Sequence, residues 1–277
     1  MKRAFLLFVL MIVFIQPFFG KKVDNGNPIL NEKFFIYAGI FSPSNQVAFG
    51  FQASLPDEDD NIIDLDEVLN LKGIQNSFTA NFYWRFSKNW SLNSDFFSLR
   101  TKNNVILDRD IVWDKYTLKK GTSIEGGYGA SVFKIGVGRT IVRSKKHELG
   151  ALVGVYVLGL NGFVSGNALL NDQEIELEKS KISLTLPLPS FGLSYIFAPT
   201  EKLSFYAKGE WFGIKIADID GSLWNLSPGV RYQFFKHIGA NLSYKYLSLF
   251  GNVDQEEWKG AFDLEFQGPS FGIIATF

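Results

Sequence analysis

Phe271-Gly-Ile-Ile-Ala-Thr-Phe277 closes the chain with Phe271, Ile273, Ala275 and Phe277 on one side of an extended segment and Gly272, Ile274 and Thr276 on the other. A period of two with one apolar side is the pattern of a β-strand whose faces meet different media. The pattern recurs upstream. In 238–246, Ile238, Ala240, Leu242, Tyr244 and Tyr246 oppose Gly239, Asn241, Ser243 and Lys245. In 226–234, Leu226, Pro228, Val230, Tyr232 and Phe234 oppose Ser227, Gly229, Arg231 and Gln233. In 203–211, Leu203, Phe205, Ala207, Gly209 and Trp211 oppose Ser204, Tyr206, Lys208 and Glu210, and Phe78, Ala80, Phe82, Trp84 and Phe86 repeat the theme. Helical spacing is sustained nowhere. Two strands change parity midway: Ile182, Leu184, Leu186 and Leu188 give way after Pro189 to Phe191, Leu193, Tyr195 and Phe197, and Phe262, Leu264 and Phe266 give way at Gly268-Pro269 to Phe271 and Ile273. One inserted residue would cause each change, so a β-bulge is expected at both, where proline is tolerated.

The other end of the chain carries Lys2 and Arg3, an apolar run from Ala4 to Ile15, then Gln16, Pro17 and Gly20. This is the layout of a secretory signal peptide over residues 1–20, leaving residues 21–277 as one barrel domain. The run is too short for a spanning helix, which needs about 20 apolar residues. The absence of Cys excludes lipoprotein processing and disulfides. The 28 basic residues balance 28 acidic ones, and aromatics reach 16% with 28 Phe. No later window is apolar enough for a helical span, apolar residues are too evenly spread for disorder, and no basic tract suits nucleic acid.

Alternation alone leaves open whether the apolar face points out to lipid or in toward a greasy ligand, as in a lipocalin-like barrel. The opposite face is rich in Gly, Ser, Thr and Asn with isolated charges, which suits a crowded lumen. Connection lengths agree: residues 87–89, 143–147, 198–202 and 235–237 are tight, whereas 55–73, 101–122 and 161–181 are long. Short periplasmic turns and long external loops, with Trp84, Phe86, Trp90, Tyr195, Phe197 and Phe234 flanking the tight turns, fit a membrane barrel with an aromatic girdle. The expected fold is therefore all-β, a single antiparallel transmembrane β-barrel. Ten strands are expected, at about 33–54, 74–86, 90–101, 122–142, 147–160, 182–197, 202–216, 222–235, 238–250 and 260–277. If Ser42-Pro43-Ser44-Asn45 is a true turn rather than a bulge, eight or twelve follow.

Dispersed signatures reinforce this. Tyr83-Trp-Arg-Phe86, Leu107-Asp-Arg-Asp-Ile-Val-Trp113, Leu186-Pro-Leu-Pro189 with Gly192-Leu193, Gly209-Glu-Trp-Phe212, Asp220-Gly221, and Trp258-Lys-Gly260 with Gly268-Pro269 and Phe277 span most of the mature chain. As a set they resemble a functionally uncharacterised family of Gram-negative outer membrane β-barrel proteins. The resemblance implies barrel fold and outer membrane location and carries no catalytic residues. The terminal strand, through Phe271, Ile273, Ala275 and Phe277, is also similar to the signal read by the barrel-assembly machinery.

Little chemistry is written into the rest. Surface barrel enzymes of the deacylase, phospholipase, palmitoyltransferase and protease kinds resemble one another in needing a His at the outer rim as general base. His147 and His237 both fall in expected periplasmic turns, so no enzyme activity and no cofactor are expected. Asp57, Asp59 and Asn61 match the first spacings of a calcium loop, but Ile62 replaces its Gly and Val68 its bidentate Glu, so no metal site is expected. The loops 55–73, 161–181 and 251–259 are acidic, which suggests loose divalent cations between them and lipopolysaccharide phosphates. In 101–122, Lys102, Arg109, Lys115, Lys119 and Lys120 make a basic stretch suited to lipid phosphate. Expected partners are thus outer membrane lipid, lipopolysaccharide, the assembly machinery and divalent cations, with no nucleic acid and a monomeric state. Parity places Arg85, Asp95, Lys134, Lys208, Glu210, Arg231, Lys245, Asp263 and Glu265 in the lumen. Their charges nearly balance, and Tyr83, Tyr156 and Tyr206 narrow the space further. An ion-paired, largely filled, non-enzymatic structural or surface-interaction barrel is the leading expectation. A narrow conduit for ions or small polar solutes is the alternative, with lateral passage of hydrophobic compounds at the Pro189 and Gly268-Pro269 irregularities a further one; a general porin is not expected.

Overall fold

A computed structural model describes residues 27–52, 76–108, 110–113, 116–170, 173–216, 219–255 and 258–277. The expected signal segment, the acidic stretch 55–73 with Asp57, Asp59 and Asn61, and the basic Arg109 and Lys115 lie outside these residues. A four-residue helix α1 (Pro28–Asn31) precedes thirteen strand segments: β1 (Phe34–Phe41), β2 (Ser44–Gln52), β3 (Ser77–Trp84), β4 (Trp90–Ile106), β5 (Ile111–Trp113), β6 (Tyr116–Leu118), β7 (Ser123–Arg143), β8 (His147–Leu170), β9 (Gln173–Phe197), β10 (Leu203–Ile216), β11 (Ile219–Gln233), β12 (Ile238–Gln255) and β13 (Trp258–Thr276).

These segments form a closed antiparallel barrel of ten strands. β1 and β2 both pair with β13 in one unbroken register, Phe41 opposite Ser270 and Ser44 opposite Gln267. The Ser42-Pro43 step is therefore neither a turn nor a bulge against β13. It is a local lapse of the ladder at a residue without an N–H, and β1 with β2 count as one barrel strand. From there β3, β4, β7, β8, β9, β10, β11, β12 and β13 follow as hydrogen-bonded neighbours, and β13 returns to β1. β5 and β6 form a small hairpin beside the barrel, touching β8 at Thr117 and Leu169. The first and last strands meet at their lower ends, since the Phe277 N–H donates to the Phe34 carbonyl at 2.8 Å and the Phe34 N–H donates back at 3.0 Å. Closure leaves no free edge around the belt, as lipid demands of a β structure.

The expected bulges at Pro189 and at Gly268-Pro269 are absent. β8 and β9 keep one register from His147 opposite Phe197 to Val164 opposite Ser180, and β12 and β13 keep theirs from Ile238 opposite Ala275 to Gln255 opposite Trp258. Register slips occur instead at Thr140/Val142 and at Val164/Gly166, the second beside a glycine with φ of +145°. The parity change has another cause. On β13, Phe271 and Ile273 face outward and are half exposed, whereas Leu264 and Phe266 of the opposite parity are fully buried inside. On β9, Phe191 and Leu193 face outward while Leu186 and Leu188 pack on the interior core. Near the chain termini the barrel is greasy outside and polar inside. Farther up it becomes a soluble-type barrel with a packed apolar interior.

The same inversion explains a second correction. The stretches 101–122, 161–181 and 251–259, expected as loops, mostly continue the ladders: β8 pairs with β9 as far as Leu170 and Gln173, and β12 with β13 as far as Gln255 and Trp258. The alternation there serves an interior core rather than lipid, so it does not join the lipid-facing pattern below. One ladder stops early. Among the described residues β9 and β10 pair from Phe197 opposite Phe205 to Phe191 opposite Trp211 and no farther, just below Pro189 and Pro187, which lack the N–H a neighbouring strand would need.

Candidate functional site: the lumen

The lumen is built in three layers. At the terminal end α1 folds into the mouth. Asn27 caps it by accepting the Ile29 N–H at 3.0 Å, Pro28 supplies a pre-set first turn, and the Asn27 amide donates to the Ala198 and Thr200 carbonyls at 3.1 and 3.0 Å. Ile29 and Leu30 are buried with Ala198 against Ile196. Directly after the helix, Glu32 pairs with Arg231 at 2.9 Å. Burial raises the Glu32 carboxyl above its ordinary value, with the charges of Arg231 and Arg85 opposing the shift. Arg231 lies 4.4 Å over the Phe35 ring, Phe35 stacks on Tyr83 at 5.0 Å, and Arg85 lies 5.7 Å from the Tyr83 ring centre. Arg85 donates to both Glu148 oxygens at 3.0 and 3.1 Å, and Arg143 adds a third bond at 2.7 Å.

The middle layer is the charge cluster that parity predicted. Lys134 pairs with Glu210, both fully buried; Lys208 pairs with Asp95 at 2.6 Å; and cross contacts of 3.9 Å join Lys134 to Asp95 and Lys208 to Glu210. Tyr156 donates to Glu210, Asn81 donates to Asp95, and Asn225 donates to the Tyr156 hydroxyl at 2.6 Å. Lys245 donates to the Thr79 hydroxyl at 2.8 Å and sits 5.4 Å from the Phe41 ring centre. A chamber of about 190 Å³ runs from the terminal layer past the middle one to Phe41, Phe97 and Leu247, bounded also by Asp95, Lys208, Lys245 and Arg231.

The outer layer is apolar. Phe41, Phe97, Leu99, Tyr128, Leu158, Leu223, Leu249, Leu264 and Phe266 form one contiguous buried cluster from strands all around the barrel.

Seven of the nine lumen assignments therefore lie inside: Arg85, Asp95, Lys134, Lys208, Glu210, Arg231 and Lys245. Asp263 and Glu265 do not. They alternate with the buried Leu264 and Phe266, so they face outward above the lipid belt; Tyr246 reaches Glu265 at 3.5 Å and Gln267 donates to it at 2.8 Å on that outer surface. The misplacement came from carrying the lower parity upward through an inversion read as a bulge. The sequence reading also missed Glu32 and Glu148, which complete the terminal layer. Asn27-Pro28 was a legible capping signal for α1, whereas nothing periodic marks Glu148 as the partner of Arg85.

His147 and His237 lie at the terminal end as expected. His147 stacks on Phe197 and its Nδ1 is 2.7 Å from the Tyr195 hydroxyl, while the His237 Nδ1 is 2.8 Å from the Thr276 carbonyl oxygen. In the basic stretch, Lys102 pairs with Glu125 and Lys119 with Asp110, at 3.0 and 2.9 Å. The Lys120 backbone N–H and the Lys119 ammonium hold the Asp110 carboxyl below its ordinary value. Among the described residues no group of three or more acidic or His side chains is placed to hold a metal ion. Phe271, Ile273 and Phe277 face outward in the last strand, and Ala275 shares their parity.

No protein-family model and no curated protein matches this chain. Solved structures do. The outer membrane protease OmpT from Escherichia coli aligns with a TM-score of 0.54 at 9% identity, covering 88% of this chain and 97% of its own. The toluene transporter TodX from P. putida gives 0.36 at 7% identity, covering 92% and 93%, and the attachment invasion locus protein Ail of Yersinia pestis gives 0.30 at 12% identity, covering 86% and 99%. The first likeness establishes the barrel fold; the other two scores carry no argument. With its outward apolar belt and closed ladder, this chain is an integral β-barrel of the Gram-negative outer membrane.

Proposed function

We propose that this chain is a non-enzymatic barrel whose largely filled lumen is structural and whose function lies in the strands and connections it holds above the outer leaflet. The observation that carries this reading is the apolar outer layer: a buried cluster contributed by β1, β4, β7, β8, β11, β12 and β13 stands across the path of any solute rising through the lumen. Below it, Lys134 with Glu210 and Lys208 with Asp95 pair across the lumen. The two His side chains at the terminal end support the absence of rim catalysis. Lipid, lipopolysaccharide, the assembly machinery through the Phe277 strand, and divalent cations at acidic connections remain the proposed partners, and the monomer the proposed state. In the basic stretch, Lys102 and Lys119 neutralise carboxylates of their own chain, which leaves less charge for lipid phosphate. The test is single-channel recording of the refolded mature protein in planar bilayers. No discrete conductance is expected, and regular open events would overturn the proposal.

A second reading, lateral passage of hydrophobic compounds, draws support from one observation: the β9–β10 ladder ends below Pro189, at the level where half-buried Leu186, Leu188 and Phe212 border the core. A Ser190→Cys/Phe212→Cys cross-link should slow uptake of a hydrophobic fluorophore into vesicles if that seam admits it. Equal uptake with and without reductant would discard this reading.

A further inference from the structure

Among the described residues, the middle layer holds three ammonium groups, Lys134, Lys208 and Lys245, and two carboxylates, Asp95 and Glu210. Both carboxylates are engaged by Lys134 and Lys208. Among the described residues no carboxylate comes within ion-pair distance of Lys245, whose partners are the neutral Thr79 hydroxyl and the face of Phe41. The terminal layer repeats the excess, with Arg85, Arg143 and Arg231 set against Glu148 and Glu32. The chamber is thus walled by surplus positive charge. An uncompensated charge in such a site is unfavourable. A bound counter-anion removes that cost.

We infer that the chamber is a binding site for a small, water-soluble oxyanion of phosphate or sulfate size, held by the Lys245 ammonium. Three features set this class. The room, about 190 Å³, takes an ion and a few waters but no large ligand. The wall offers, beside the Lys245 ammonium, the second amide N–H of Asn81, Asn93 and Asn225, whose first is given to Asp95, Ser91 and Tyr156. Access is confined to the mouth beside α1, because the apolar layer closes the outer side and the β9–β10 ladder is intact past Lys208, opposite Ser194. The entry side rests on the sealed outer half; binding itself does not, so a conducting barrel would leave the site standing.

The experiment is isothermal titration of inorganic phosphate into the refolded mature protein, with Lys245→Met, Lys245→Arg and the outer-face control Asp263→Asn alongside. Saturable binding is expected in the parent, in the Arg variant and in the control. Loss of one charge-assisted hydrogen bond should weaken it roughly 10- to 100-fold in Lys245→Met. Inositol hexakisphosphate, too large for the chamber, should give no Lys245-dependent heat. Absence of saturable phosphate binding, or binding unchanged in Lys245→Met, would overturn the inference. Should Lys245→Met fail to fold, selenate soaked into crystals of the parent decides: an anomalous peak beside Lys245 Nζ sustains the site, and peaks elsewhere or none reject it.

Discussion

At the scale of single residues, Glu210 is the point on which the middle layer turns. It is buried, it accepts from Tyr156 and Lys134, and Lys208 stands 3.9 Å away. Removing one partner of a buried pair leaves the other charge without compensation, a penalty of about 3–5 kcal/mol. Glu210→Ala should therefore lower the urea midpoint of the refolded barrel by that equivalent, and Glu210→Gln, which keeps an acceptor for Tyr156, should fall between. A midpoint for Glu210→Ala within about 0.5 kcal/mol of the parent, the range of an ordinary surface change, would show the cluster to be loosely packed. The inward parity of Glu210 and its neighbours was legible from Ser204-Phe-Tyr-Ala-Lys-Gly-Glu210, because one polar face per strand is all that a lumen demands. Its partners were not. Lys134 on β7 and Glu210 on β10 meet across the interior, and alternation along one strand carries no information on which strand lies opposite. The Arg85–Glu148 bond was illegible for the same reason.

At the scale of elements, barrel closure depends on how near β1 and β13 can come. Gly39 pairs directly with Gly272, and a Cβ added at Gly272 would run into the Ala38 carbonyl and the Gly39 Cα. Backbone atoms cannot swing aside as a flexible side chain can. Gly272→Val should therefore impair the closing ladder, giving protein that inserts poorly into detergent micelles and remains protease-sensitive, while Ile273→Val on the lipid face should close normally. Efficient closure of Gly272→Val would show that the two strands can separate at this point without loss. The number of strands and most of their lower boundaries were readable from period and turn length. The upper boundaries were not, because a strand leaving the bilayer exchanges lipid for water outside and water for core inside. At Pro189 and at Gly268-Pro269 that exchange imitates an inserted residue, and only the register distinguishes the two.

At the scale of the whole molecule, the layers make separate demands, and their order predicts which change opens the barrel. The ion-paired middle is wide enough to leave a chamber, so loosening it alone enlarges a space that still ends beneath Leu158, Leu264 and Phe266. The outer layer is apolar and buried. Leu158 and Phe266 have no exposed surface, and truncating such side chains leaves voids costing about 2–5 kcal/mol each. Leu158→Ala with Phe266→Ala should accordingly admit water through the outer half and produce flickering conductance in planar bilayers, whereas Glu210→Ala should stay as silent as the parent. A reversed pattern, with Glu210→Ala conducting and the double variant silent, would place the barrier in the charge layer. The outward acids Asp263 and Glu265 provide the internal control: Asp263→Ala alters charge only outside the lumen, so it should leave the current traces of both the parent and the opened double variant unchanged in ion selectivity.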